Sequence, residues 1–164
     1  KSRPGDNLML HKAIDMAEPG DIIVCDAGGD LTNSLMGELM LAHAMKRGVG
    51  GFVLDGAVRD VEAFLDVNLP VFAAGVSHRG PYKDGPGEIN VSVAIDGMVI
   101  EPGDLVIGDW DGVLSIPLDD VDSILKKTNE KQAAEAVDME KIEAGEWDRS
   151  WVDKTLKDRG CIMP

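Results

Sequence analysis

The chain predicts a mixed α/β fold, sheet layers covered by helices, and three observations carry that reading. Short β-like runs recur between turn signals over the first two thirds of the chain, helical periodicity is interleaved with the earliest of them, and from Leu118 the pattern becomes helical and highly charged. Seventeen of the nineteen glycines fall within residues 1–118, whereas 119–164 hold only Gly145 and Gly160 and carry twenty charged side chains, so the composition changes near Pro117.

Taken in order, the first helix is read over 7–17, where Leu8, Leu10 or His11, Ile14 and Ala17 share one side. DIIVCD at 21–26 is the first strand, SLMGELMLAHAMKR at 34–47 a clearer helix, and GFVLD at 51–55 the second strand. A short helix over 58–66 leads to PVFAAG at 70–75. The runs INVSVAI (89–95), MVI (98–100), LVIGDW (105–110) and GVLSI (112–116) follow, and the turn pairs Asp96-Gly97 and Asp111-Gly112 make these last four strands antiparallel. From Leu118 a long amphipathic helix begins with acidic residues in its first turn, as the helix dipole favours, and stops at Gly145, with a short helix over 148–159 behind it. No internal repeat is visible.

The 164 residues (17.5 kDa) suit one domain, 1–164, with length enough for a sizeable core. Apolar residues at 44% and charged residues at 28% exclude disorder, and with aromatics at 4% the core falls to Val, Ile, Leu, Ala and Met. A formal charge of -14 makes nucleic acid a poor partner, because most of the surface would repel a phosphate backbone. No run approaches the ~20 apolar residues that cross a bilayer, so no membrane association is expected. Cys25 and Cys161 form neither a metal spacing nor a disulfide framework, which suits a cytoplasmic protein.

Candidate chemistry concentrates in residues 28–64, a strand, helix and strand rich in glycines and carboxylates. Gly28 and Gly29 permit a sharp turn after the first strand, and Gly37, Glu38, Leu39 and Met40 stand where a helix opens and its amides can hold an anion. No phosphate loop or dinucleotide fingerprint is present. Just past the second strand, Arg59 and Asp60 set a guanidinium fork beside a carboxylate. The pair reads either as a surface ion pair at a helix start or as a grip on an oxyacid with Asp60 holding Mg²⁺. His43 reads as a packed or interface residue rather than a base, and Cys25 as core. The loop 75–88, with His78 and Arg79, reads equally as a mobile lid whose cations meet a distal carboxylate and as a solvated loop. Trp110, Trp147 and Trp151 are too scattered for a binding platform and default to packing.

The segments PGDIIVCDAGGD, GELMLAHAMKRGVGGFVLDGAVRD, LPVFAAGVSHRGP and GEINVSVAIDGMVIEPGDLVIGDWDGV, with EAGE near the end, together resemble one family over nearly all of residues 4–160. It is the class II pyruvate aldolases acting on 4-hydroxy-4-methyl-2-oxoglutarate, which share their fold with the regulator of ribonuclease activity A. The resemblance implies a swivelling β/β/α (RraA-like) domain, a homotrimer or pair of trimers, and Mg²⁺- or Mn²⁺-dependent cleavage to pyruvate with oxaloacetate decarboxylation beside it.

By position, the resemblance also implies that the backbone at Gly37, Glu38, Leu39 and Met40 binds the pyruvyl carboxylate, that Arg59 contacts the keto oxygen and that Asp60 is the metal ligand. Glu62 is then the trailing acid of that motif. Glu135, which opens EAVDMEKIEAGE, resembles a C-terminal helix glutamate presented across a subunit boundary. Glu38, or a water positioned by Glu38 and Glu135, is the candidate for proton transfer. Family members carry several dozen residues before the part corresponding to Pro4, so the N-terminal part of the family domain is expected to be absent. The regulator branch lacks the Arg-Asp pair, so Arg59-Asp60 favours the enzyme; the alternative is a protein-binding ring that docks on a ribonuclease.

Overall fold

A computed structural model describes residues 1–162, and the chain divides into two compact units, Lys1–Leu118 and the residues from Asp119 onward. The boundary coincides with the change of composition at Pro117.

In the first unit, helix α1 (Leu8–Met16) leads into strand β1 (Ile22–Met36), helix α2 (Glu38–Arg47), strand β2 (Gly51–Val58), the short helix α3 (Val61–Leu65) and strand β3 (Val71–Val76). β1, β2 and β3 form a parallel sheet in that order. The central β2 is buried along almost its whole length, as a parallel strand covered on both faces must be. At the start of β1 burial alternates, and Ile23, Cys25 and Ala27 face the core. Leu10 and Ile14, one turn apart on α1, close that core together with Met40, Leu41 and Ala44 of α2 and Phe52 and Leu54 of β2. Burial pushes the Cys25 thiol up to about 11, so it stays a neutral core group.

Two expectations for this region change. The chain does not turn away at Gly28 and Gly29: both adopt left-handed φ (70° and 67°) within β1, and the strand continues through irregular register to Met36. In consequence Ser34, Leu35 and Met36 belong to β1, and α2 starts only at Glu38. Apolar residues satisfy either element, and pairing of Ser34 with Ala57 and Met36 with Val58 decides for the strand.

Beyond β3 come strands β4 (Val93–Ile95) and β5 (Met98–Ile100), then β6 (Leu105–Gly108) and β7 (Val113–Ile116), as two antiparallel pairs. Asp96 and Gly97 turn the first pair with φ of 48° and 82°, the doubly left-handed turn that the dipeptide favours. Residues 89–92 lie outside the ladder.

The second unit holds helices α4 (Val121–Ala144) and α5 (Ser150–Asp158), neither with a fully buried side chain. α4 ends at Gly145, as the sequence indicates. Trp147 and Trp151 are not scattered: the Arg149 guanidinium lies 4.7 Å and 5.9 Å from their ring centroids. Trp110, expected to pack, is fully exposed. No described helix is long and apolar enough to cross a membrane.

Candidate active site

In a parallel sheet every strand delivers its following loop to the same edge, and Met36, Val58 and Val76 are paired in register at the ends of β1, β2 and β3. Gly37, Arg59-Asp60 and Ser77 are therefore neighbours although widely separated in the chain. Backbone bonds lock the arrangement: Arg59 N–H donates to Met36 O and Ser77 N–H to Val58 O, both at 2.9 Å. The residue leaving each strand is thus pinned to the end of the strand before it.

Asp60 adopts a left-handed conformation (φ 58°, ψ 43°), which aspartate tolerates better than most residues, and precedes α3. Its Oδ2 accepts the Glu38 N–H at 3.0 Å and stands 3.6 Å from Arg59 Nε. One carboxylate oxygen therefore ties the start of α2 to the guanidinium. Asp60 Oδ1 has no partner among the described residues. Gly37 is extended (φ −147°), so glycine is required here by space rather than by backbone: a Cβ would lie 2.5 Å from Asp60 Oδ2 and 2.9 Å from both Cγ and Nε of Arg59.

The four residues expected to bind an anion through their amides are differently committed. Glu38 N–H is held by Asp60 and Met40 N–H by Gly37 O at 3.1 Å, while Gly37 and Leu39 N–H have no partner among the described residues. The Leu39 side chain is 84% exposed and that of Met40 is core. Glu38 is exposed beside these amides. Glu62 lies in the first turn of α3. Glu135 lies on α4 in the second unit, where its Oε1 pairs with Lys131 Nζ at 2.8 Å.

The loop after β3 is tied down rather than free. Ser77 Oγ donates to Thr32 O (2.9 Å), Ser34 N–H and Oγ–H both donate to Arg79 O (2.8 Å), and Asn33 Nδ2 donates to Gly80 O (2.6 Å). Farther along, the fully buried Asp6 accepts N–H groups from Leu8 and Gly85 at 2.9 Å, and from Asp84. Burial works against the Asp6 charge, but these donors and Arg3 outweigh it and hold the carboxyl below its ordinary value. Asp6, which the sequence reading passed over, anchors the N-terminal segment to the loop; its signal was an Asp-Asn pair directly before an amphipathic helix. His43, facing α1, places Nε2 3.0 Å from Asp15 Oδ1 and joins the two helices.

No group of three or more His, Cys, Asp or Glu side chains among the described residues could enclose a metal. A divalent ion that keeps most of its waters needs less, and the free Oδ1 of the exposed Asp60, beside an open helix start, fits such an ion.

Known proteins are similar to this chain. The RraA-like family (Aldolase/RraA) matches residues 1–115. A Halalkalibacterium halodurans protein named "Putative 4-hydroxy-4-methyl-2-oxoglutarate aldolase" is 45% identical over 129 residues, which cover 79% of this chain and 61% of that relative, so the chain spans less than two thirds of it. The 4-hydroxy-4-methyl-2-oxoglutarate aldolase of Thermus thermophilus is 31% identical over 112 residues, 68% of each protein. Among solved structures, one titled as the RNA-processing inhibitor RraA from Thermus thermophilus superposes with a TM-score of 0.67 at 31% identity, covering 70% of each chain.

Proposed function

The chain belongs to the RraA-like (Aldolase/RraA) family, and from that premise we propose that it is a divalent-metal-dependent class II pyruvate aldolase. It cleaves 4-hydroxy-4-methyl-2-oxoglutarate or a related 4-hydroxy-2-oxo acid to pyruvate and decarboxylates oxaloacetate. The observation that carries the reading is the closure of Arg59 and Asp60 over Gly37, tight enough that no Cβ fits between them. A chance surface pair has no reason to demand glycine across a gap of twenty-two residues.

On this reading the unpartnered Gly37 and Leu39 amides at the start of α2 receive the substrate carboxylate, where the helix dipole adds its attraction. Arg59 then donates to the keto oxygen. As the bond between C3 and C4 breaks, its electron pair moves toward C2 and negative charge grows on that oxygen, so a fixed guanidinium stabilises the transition state more than the substrate. Glu38 accepts the C4 hydroxyl proton, which leaves a carbonyl on the departing fragment. In oxaloacetate the same electron pair is released as carbon dioxide departs, so one site serves both reactions. Asp60 Oδ1 would hold Mg²⁺ or Mn²⁺, which when bound supplies Lewis-acid polarisation of the 2-oxo group.

We further propose a homotrimer or pair of trimers in the cytoplasm, with Glu135 of a neighbouring copy completing the proton path. An inactive Arg59→Ala subunit mixed with an inactive Glu135→Ala subunit should then recover activity; verified mixed trimers without recovery would place Glu135 outside the reaction. For the reaction itself, oxaloacetate loss and pyruvate formation should proceed with Mg²⁺ and stop with chelator. The second reading, a protein-binding ring acting on a ribonuclease, is supported by the similarity to the structure titled as an RNA-processing inhibitor. Metal-saturated protein that turns over neither oxaloacetate nor a 4-hydroxy-2-oxo dicarboxylate would favour it.

A further inference from the structure

We propose that Arg79 binds the distal carboxylate of a dicarboxylic 2-oxo acid and thereby sets the preference of the site for dicarboxylic over monocarboxylic substrates. This rests on the aldolase reading.

The placement follows from the sheet edge. Ser77 N–H is bonded to Val58 O, the carbonyl immediately preceding Arg59, so the chain leaving β3 starts one strand away from Arg59, a spacing of about 4.8 Å. It then doubles back toward β1, where Ser34 holds Arg79 O and Asn33 holds Gly80 O. That return brings Gly80 against the catalytic guanidinium: a Cβ on Gly80 would meet Arg59 Nη1 at 3.4 Å. Arg79 is the adjoining residue, with its Cα about 3.8 Å from that of Gly80. Since its backbone carbonyl makes the anchoring bonds, the exposed side chain is free to act without disturbing the loop.

Charge points the same way. The first unit has four arginines, and three are engaged: Arg3 pairs with Asp84 (3.7 Å), Arg59 with Asp60 (3.6 Å), and Arg47 donates to Asp15 O and Ala17 O. Arg79 alone has no acidic or hydrogen-bonding side-chain partner among the described residues. A second, uncompensated guanidinium within reach of Arg59 would be repelled by it unless an anion lay between them. A substrate with a carboxylate at each end meets both needs, and the planar fork of arginine matches a carboxylate in two-point geometry. The other cations of the loop are less well placed or less suited. Lys83 lies between Tyr82 and Asp84, whose N–H groups are bonded to Gly5 O and the Asp6 carboxylate, so its backbone is tied to the N-terminal segment rather than to the sheet edge, and His78 lacks the fork.

The test compares kcat/KM for 4-hydroxy-4-methyl-2-oxoglutarate with that for 4-hydroxy-2-oxopentanoate, in which hydrogen replaces the C4 carboxylate and methyl remains. Wild-type protein should prefer the dicarboxylate. Arg79→Ala should reduce the ratio of the two kcat/KM values about tenfold or more, chiefly through KM for the dicarboxylate, and Arg79→Lys should retain part of the preference. A ratio unchanged within twofold in Arg79→Ala would overturn the assignment, as would a wild-type enzyme that turns over both substrates without preference. Wild-type protein that turns over neither substrate would instead sink the aldolase reading, and the Arg79 assignment with it.

Discussion

Replacing Gly37 by alanine tests the candidate site while keeping the Gly37 amide and every side chain assigned to chemistry. The backbone there is extended, so alanine introduces no conformational strain, and the whole effect must come from one methyl group. That methyl would sit 2.5 Å from Asp60 Oδ2, so for ordinary contact at 3.4 Å the carboxylate must retreat by about 0.9 Å while Arg59 Cγ and Nε, at 2.9 Å, must give by about 0.5 Å. The first shift perturbs the bond from Glu38 N–H to Asp60, and the second the contact of Arg59 with the same carboxylate. A misplacement of about 1 Å in a reacting constellation costs roughly a hundredfold in rate, whereas overpacking costs about 1–3 kcal/mol, at the low end here because Arg59 and Asp60 are partly exposed and can move. Gly37→Ala should therefore lower kcat/KM about 10²-fold, while Tm falls by only a few degrees in a chain of this size. Pyruvate release from oxaloacetate, followed by coupled reduction to lactate, measures the first and thermal circular dichroism the second. A folded Gly37→Ala protein with kcat/KM within threefold of wild type would refute the argument that the fit of Arg59 and Asp60 over Gly37 is functional.

Other perturbations separate the roles. Arg59→Lys and Arg59→Ala should both cut turnover of oxaloacetate by about 10²–10³ at saturating metal, since lysine lacks the planar fork, and a wild-type kcat in the alanine protein would remove Arg59 from the reaction. Asp60→Gly should abolish Mn²⁺ binding, read by electron paramagnetic resonance, with a stability change of no more than about 1 kcal/mol, because relief of the left-handed backbone offsets loss of the Glu38 N–H bond; unchanged Mn²⁺ affinity would exclude Asp60 as ligand. Asp6→Asn should cost roughly 1–3 kcal/mol in denaturant unfolding at neutral pH, because one amide oxygen cannot serve all three backbone donors around this buried side chain. With the folded pKa of Asp6 lowered, its contribution is full above the ordinary value of 3.8 and fades as pH falls through the folded value, so the gap between wild type and variant should close in acid; a gap that persists unchanged would contradict the assignment.

What could be read from the sequence divides along physical lines. Periodicity and turn chemistry are local, and they place the antiparallel pair around Asp96-Gly97, the long helix ending at Gly145 and, to within a residue, the starts of the three core strands. The end of β1 was not readable, because Ser34-Leu35-Met36 obeys helical and strand patterns alike and only the partner strand distinguishes them. The same limit applies to the site. Arg59 and Asp60 announce themselves as a pair, and their match to Gly37 rests on the family's spacing, but the contact of Asp60 with Glu38 N–H depends on the register of β1 against β2, a long-range property. Nor could a sequence reveal that the loop carrying Arg79 is tied down, since its anchors, Thr32, Asn33 and Ser34, are more than forty residues away.

Those anchors explain how an exposed sheet edge can support demanding geometry. The central β2 is buried nearly throughout and fixes where Val58 ends; Arg59 and Ser77 are then positioned by their own backbone N–H groups, and Arg79 and Gly80 by their carbonyls. None of these bonds uses the side chains of Arg59 or Arg79, which remain available to a ligand. Position is thus carried by the main chain and chemistry by the side chains, so changes to those two arginines should alter turnover or preference far more than stability. Asp60 and Gly37 are the exceptions, because there the side chain or its absence sets the geometry as well. That is why Gly37→Ala, which removes no reacting group and only displaces its neighbours, is the more searching test of the site.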